Sequence, residues 1–255
     1  MQFIDTHSHL YDEAFAEDMD QAVNRATQEG VDKIILPDID SSSRTQMFEL
    51  TERHQGVLFP CIGLHPTSID AGWKKEMEQV EAHLNKHIFA IGEIGIDCYW
   101  SKEFLEQQKE AFRIQLNIAH QFDLPVIIHS RESTEIILEI LKESRHLNLR
   151  GVFHAYSGSK ETFREIQRLG DWYIGIGGVL TFKKASIAET VKYIPLDRIL
   201  LETDSPYLTP VPFRGKRNES AYIPHIAARL AEIKEIEISE VASQTTENAK
   251  TLFSI

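Results

Sequence analysis

Six residues able to bind a divalent cation stand at one kind of place in this sequence, the ends of short β-branched runs that recur about every thirty residues. They are His7 and His9 in FIDTHSHL, Glu93 in FAIGEIGID, His129 in PVIIHSR, His154 in GVFHAYSG and Asp204 in ILLETDSPYL. Neutral imidazoles and carboxylates are the ligands of hydrolytic metal sites, where a cation polarises the bond to be broken and activates water. His7 and His9 are two residues apart, so on a strand both point to one side and together clamp one cation. A His-x-His pair alone is weak evidence, because a lone histidine is ordinarily a surface or hydrogen-bonded residue. That ordinary reading is kept for His54, His83, His87, His120, His146 and His225, all in helical patterns.

The strand-end set gains its weight from the elements that must position it. Continuous apolar runs at 3–5, 33–36, 58–62, 89–91, 125–128, 151–153, 172–176 and 198–201 read as strands buried on both faces, as in a parallel sheet covered by helices. Helical patterns separate them at 15–29, 42–54, 73–87, 103–122, 134–145, 160–169 and 185–193, and two more follow at 224–233 and 239–253, with Ser239 as an expected N-cap. The fold class expected is α/β, a (β/α)8 TIM barrel with extra C-terminal helices, forming a single domain over 1–255. In such a barrel the C-terminal ends of all strands meet in one mouth, so ligands remote in sequence become neighbours. The one long irregular segment, 206–222, is expected to be functional.

Composition bounds the remaining choices. Hydrophobic residues at 42% and charged residues at 26% suit a globular protein with a large core, and no run approaches a membrane span. MQFIDTHSHL enters a strand directly without an export leader, so a soluble, cytoplasmic protein is expected, in keeping with only two cysteines, Cys61 and Cys98, both expected as thiols. A net charge of -12 argues against nonspecific binding along nucleic acid, yet six ligands with only two carboxylates leave a two-cation site net positive and attractive to an anion. A monomer is the default for an acidic surface without an apolar stripe.

The order of the ligands along the chain is that of the amidohydrolase-type metal barrels, and the blocks around them are more specific still. DTHSHL, GLHP (63–66), GEIGID (92–97), HSR (129–131), FHAYSG (153–158), LLETDSPYLTP (200–210), RGKRNE (214–219) and ENAKTLF (247–253) resemble, in order and over nearly the whole chain, the blocks of the TatD family of metal-dependent deoxyribonucleases. The resemblance implies a barrel whose two divalent ions hydrolyse phosphodiesters, often as a 3'-to-5' exonuclease on single-stranded DNA. It assigns His7, His9, Glu93, His129, His154 and Asp204 to the metals and places His65 and Arg131 in the mouth beside them. Departures from the family pattern at Glu132, at Ser220 and at the Cys98–Tyr99 pair, all expected in rim loops, bear on substrate preference.

The mechanism expected has His7, His9, Glu93 and Asp204 on one cation and Glu93, His129 and His154 on the other, with Glu93 bridging and Asp204 as general base. Mg or Mn would serve turnover, and Zn would suit the four imidazoles. His65 and Arg131 would bind phosphate oxygens; the ordinary alternatives are a hydrogen bond ordering the loop at Pro66 and a salt bridge of Arg131 to Glu132 or Glu135. Lys183, Lys184, Arg214, Lys216 and Arg217 would steer nucleic acid, solvated charge being the ordinary role of any one of them. An aromatic after Glu93 would stack on a base, although packing is the ordinary role for Trp100, and Asp5 would orient a ligand imidazole. Two other readings remain: a hydrolase of a small amide, lactone or ester, and an adaptor that binds nucleic-acid ends without turnover.

Overall fold

The computed structural model describes residues 1–84 and 87–255. Eight parallel strands alternate with helices: β1 (Phe3–Asp5), α1 (Met19–Gln28), β2 (Val31–Leu36), α2 (Ser41–Arg53), β3 (Leu58–Pro60), α3 (Trp73–Ala82), β4 (Ile91–Asp97), α4 (Leu105–Gln121), β5 (Val126–Arg131), α5 (Thr134–Glu143), β6 (Arg150–Phe153), α6 (Lys160–Gln167), β7 (Asp171–Ile176), α7 (Ile187–Val191) and β8 (Ile199–Leu201). Two helices follow, α8 (Ile223–Lys234) and α9 (Ile238–Phe253). The strands pair in two runs, β1-β2-β3 and β4-β5-β6-β7-β8. Single bridges join the runs into the barrel. Ile62 pairs with Ile91 and Ser8 with Ser205, and the Thr6 N–H donates to the Leu201 carbonyl at 3.0 Å.

Side-chain alternation explains how the barrel is filled. Ile4, Ile35, Phe59, Ile127, Val152, Tyr173 and Leu200 form one buried layer with Ala249, Leu252 and Phe253 of α9, while their neighbours Ile34, Leu58, Ile128, Phe153, Ile174 and Leu201 belong to the larger core under the helices. One residue of each strand faces in and the next faces out. Two positions beyond Ile127, Val152, Tyr173 and Leu200 come His129, His154, Gly175 and Glu202, so the same alternation carries these residues inward at the next level up. The ladder persists that far, since His154 N–H donates to Ile128 O at 3.1 Å and Glu202 N–H to Ile176 O at 3.2 Å.

Several element boundaries differ from the sequence expectation. Strand β4 begins at Ile91 rather than ending there, and β5 runs on through His129 to Arg131. Their polar residues, buried in β4 and half-buried to exposed in β5, conceal them from a reading based on apolar runs. Helix α1 begins at Met19, because a short 3-10 turn over Glu13–Phe15 precedes it. Ser239 is not an N-cap: Glu237 holds that place, and α9 begins at Ile238. The expected end of the third helix includes residues 85 and 86, which lie outside the described residues. Among the described residues, no helix is long and apolar enough to cross a membrane.

Candidate metal centre

Glu93 is the hub of the barrel mouth. Between Ile91 and Ile94 the pairing of β4 with β5 shifts register, three steps on one strand matching two on the other, and such a bulge re-aims side chains. The Glu93 N–H donates to the Asp38 carbonyl at 2.9 Å, which ties the turn to the end of β2. Gly95, two residues further along β4 and in register with His129, has φ +144°, and a Cβ there would stand 2.1 Å from the His129 carbonyl oxygen. Glycine therefore lets β4 approach β5 closely where both strands carry functional side chains.

The two oxygens of Glu93 face different imidazoles. Oε2 lies 3.0 Å from His7 Nε2 and 3.6 Å from His9 Nε2. Oε1 lies 2.7 Å from His154 Nε2, 2.9 Å from His129 Nδ1 and 3.3 Å from His65 Nε2. Asp204 Oδ1 is 3.5 Å from His9 Nε2 and 3.7 Å from His7 Nε2. Asp204 reaches this place three residues beyond β8 with φ +56°, a left-handed conformation that aspartate tolerates better than most residues.

Hydrogen bonding selects several tautomers. The Tyr11 hydroxyl donates to the Pro37 carbonyl at 2.5 Å, so it can only accept from His9 Nδ1, 3.1 Å away. This turns Nε2 of His9 toward His7 and Asp204. His65 Nδ1 accepts from the Thr67 N–H at 3.1 Å, which leaves Nε2 to donate toward Glu93. The loop-ordering hydrogen bond expected as the alternative role of His65 is thus present, and the opposite edge of the same ring faces the site. His129 Nε2 meets Asp97 Oδ2 at 2.9 Å, which holds the ring with Nδ1 toward Glu93.

Electrostatics follow from this crowding. Burial raises the Glu93 pKa, but His154, His7 and His65 outweigh it and hold the carboxyl well below its usual range. Asp204 behaves alike: burial opposes ionisation, while the His9 hydrogen bond and the charges of His154 and His7 lower its pKa. The rings of His7 and His154 stack with centroids 3.9 Å apart, so they cannot both carry charge cheaply. Burial and the His154 charge push His7 down to about 4. Burial also opposes charge on His154, yet Glu93, Glu202 and Asp204 raise it to about 10.

This donor set fits divalent cations. In each of three groups, His7–His9–Asp204, His7–His154–Glu202 and His65–Glu93–His129, the ligand atoms lie within 4.8 Å of one another. Buried His7 Nδ1, His154 Nδ1 and Glu202 Oε2 have no hydrogen-bond partner in the protein, an expensive arrangement for polar atoms without a further ligand. All six residues expected as ligands come together, but the grouping differs from the expectation, because His154 falls with His7 and Glu202, and His65 joins Glu93 and His129.

Glu202 and Asp97 are the polar residues that sequence reasoning passed over as site members. Glu202 is fully buried, accepts the Ala155 N–H at 2.5 Å and is pushed up to about 8 by burial. Its signal was the alternation that makes Leu200 face inward and hence Glu202 also. Asp5 has a different role from the one expected: its carboxylate accepts the N–H groups of His7 and Thr203 at 3.2 and 3.0 Å, fixing backbone rather than an imidazole.

Above this cluster opens a cavity of about 960 Å³ lined by His65, Arg131, Trp100, Tyr207 and the central residues. Arg131 stacks its guanidinium 3.7 Å above the Tyr99 ring instead of pairing with Glu132 or Glu135. Trp100 does not pack: it is 70% exposed. Arg217 pairs with Asp18 at 2.6 Å and forms with Arg25 and Glu219 a network that ties 206–222 to α1. Arg214 stacks on Phe182 at 4.0 Å. Ser220 and Cys98 are buried rather than on the rim, and burial raises the Cys98 thiol pKa.

Parallel strands of the two runs carry imidazoles and carboxylates around a buried glutamate at the mouth, and the relatives of this chain are metal-dependent hydrolases. The chain belongs to the TatD family, because the profile described as TatD related DNase matches residues 4–254. It is 42% identical over 258 residues to the metal-dependent hydrolase YabD of Bacillus subtilis, covering 98% of each chain. The crystal structure of the TatD homologue YjjV of Escherichia coli superposes with a TM-score of 0.90 at 31% identity, over 99% of this chain and 98% of that one. A TatD-family hydrolase of Entamoeba histolytica gives a TM-score of 0.84 at 25% identity, over 99% and 98%.

Proposed function

We propose that the chain hydrolyses phosphodiester bonds in single-stranded DNA, removing nucleotides from the 3' end. The observation that carries this reading is the division of imidazoles between the two oxygens of Glu93, His7 and His9 on one and His129 and His154 on the other. His7, His9 and Asp204 would hold one divalent ion, His129 and His154 a second, and Glu93 would bridge. Bound Mg or Mn would neutralise the phosphoryl oxygens, acidify the attacking water and stabilise the leaving alkoxide, while Zn would also suit the imidazoles.

The protein's own groups do the rest. Asp204, held ionised by its histidine neighbours, takes the proton of the attacking water on Oδ1. The Nε2–H of His65 and the fork of Arg131 donate to the nonbridging oxygens, and Tyr99 holds that fork flat at the rim. The free, buried thiols Cys61 and Cys98 suit work in the reducing cytoplasm.

The test is cleavage of end-labelled single-stranded DNA by wild type and Asp204→Asn, first in EDTA and then with Mg or Mn restored. Stepwise shortening from the 3' end is expected, lost in the variant and in chelator. DNA left intact under every metal, with small esters or amides hydrolysed instead, would sink the reading; binding without cleavage would point to an adaptor.

A further inference from the structure

Trp100 stands out because its exposure has no structural use. Trp73 and Trp172 are 4% and 1% exposed, whereas Trp100 is 70% exposed and lines the cavity above the metal-ligand cluster. An indole left in water at a site mouth is unused apolar surface unless something covers it. Its position is nevertheless built. Asp97 Oδ1 accepts the backbone N–H of Tyr99 at 2.9 Å and of Trp100 at 3.2 Å, while Oδ2 of the same carboxylate meets His129 Nε2 at 2.9 Å. One side chain therefore sets the height of the aromatic platform and the orientation of a central imidazole.

The three groups of the platform have complementary surfaces. The Tyr99 and Trp100 rings meet edge to face, 4.9 Å apart at 84°, and Arg131 covers Tyr99, with its guanidinium carbon 5.4 Å from the Trp100 centroid. Tyr99 thus backs the cation and leaves its N–H edge free for a phosphate. The same guanidinium carbon stands over one face of Trp100, and the residue is still 70% exposed. A cation for phosphate next to a free π-face for the adjoining base is how proteins bind unpaired strands without reading sequence.

We infer that Trp100 is a nucleobase-stacking subsite for the nucleotide next to the scissile phosphate of a single DNA strand, with Arg131 on that phosphate. The inference rests on the phosphodiesterase reading above and supplies its strand preference. A base inside a duplex is already stacked on both faces, so Trp100 can cover only a base that has left its neighbours.

Two measurements test it. Protein in EDTA is titrated with oligothymidylate while tryptophan fluorescence is followed. Since the other two indoles are buried, quenching is expected in wild type and its loss in Trp100→Phe. With metal restored, KM is compared for oligothymidylate and for an abasic oligomer of equal length, which keeps the phosphates and lacks the bases. Wild type is expected to favour thymidylate, and Trp100→Ala to reduce that preference roughly tenfold, the scale of one lost base stack, with Trp100→Phe recovering most of it. Equal losses on both oligomers, or a preference unchanged in Trp100→Ala, overturn the subsite. Quenching without cleavage under any metal keeps the subsite and overturns the nuclease reading, whereas cleavage without quenching does the reverse.

Discussion

Glycine at position 175 is required by a carboxylate rather than by a turn, and Gly175→Ala tests how firmly Glu202 is held behind the metal centre. A Cβ on Gly175 would lie 2.1 Å from Glu202 Oε2, 2.7 Å from its Cδ and 3.1 Å from Oε1. Ordinary non-bonded contact needs ~3.5 Å, so the carboxylate must retreat by ~1 Å or more. It has little room to do so. Oε1 accepts the Ala155 N–H at 2.5 Å, and beyond it His154 Nδ1 lies 3.8 Å away. Overpacking a filled core costs about 1–3 kcal/mol, and losing the Ala155 hydrogen bond adds about 1–2 kcal/mol. The expected destabilisation of Gly175→Ala is therefore about 2–5 kcal/mol, read from urea unfolding of metal-free protein as a lower midpoint with unchanged slope. Metal retained after dialysis should fall as well, because the displaced carboxylate presses on His154. Glu202→Ala removes the group that clashes, so the double variant should be more stable than the sum of the single changes predicts by at least ~1 kcal/mol. A midpoint equal to wild type for Gly175→Ala, or strict additivity in the double variant, refutes the reasoning.

Arg44 and Asp38 form a buried pair at 2.8 Å beneath the Glu93 turn, with side chains 3% and 0% exposed. Arg44→Met should destabilise by about 3–5 kcal/mol, because it strands a carboxylate without its partner; a loss below ~1 kcal/mol in urea unfolding would mean the pair contributes little. Burial already raises Asp38 to about 7 against Arg44, so its contribution to stability is largest below the unfolded value of 3.8 and falls as pH rises through 7. The Arg44→Met penalty should accordingly be larger at pH 8 than at pH 5. Asp18 has the opposite sign: the Arg217 hydrogen bond, opposed by slight burial and helped by Arg25, lowers it from 3.8 to about 2. Its contribution is present above 3.8 and lost as pH falls through 2. Asp18→Asn should cost about 1 kcal/mol at pH 6, the scale of a surface ion-pair network, and the difference from wild type should shrink by pH 3 and in high salt. A difference that does not change with pH would remove the network from the account of how 206–222 is anchored.

The sequence by itself determined the order of strands and helices and the residues that gather at the mouth. Both follow from local rules: apolar runs mark strands buried on two faces, and alternation by two sets which side chain of a strand faces inward. The same rules mislead where a buried strand carries polar groups. Glu93, Asp97 and His129 sit inside β4 and β5, so those strands are longer than their hydrophobic pattern. Glu202 follows the inward alternation of Leu200, yet only its depth beside Gly175 and Ala155 distinguishes it from an ordinary charge at a strand end. Tertiary structure alone decided the partners. Whether Arg217 meets solvent or Asp18, whether Arg131 pairs with a nearby glutamate or stacks on Tyr99, and whether Trp100 is packed or open depend on which chain segments meet at the mouth. The barrel bends residues far apart in sequence into contact, and the energy of a charge or an indole is set by those neighbours rather than by the residues beside it in the chain.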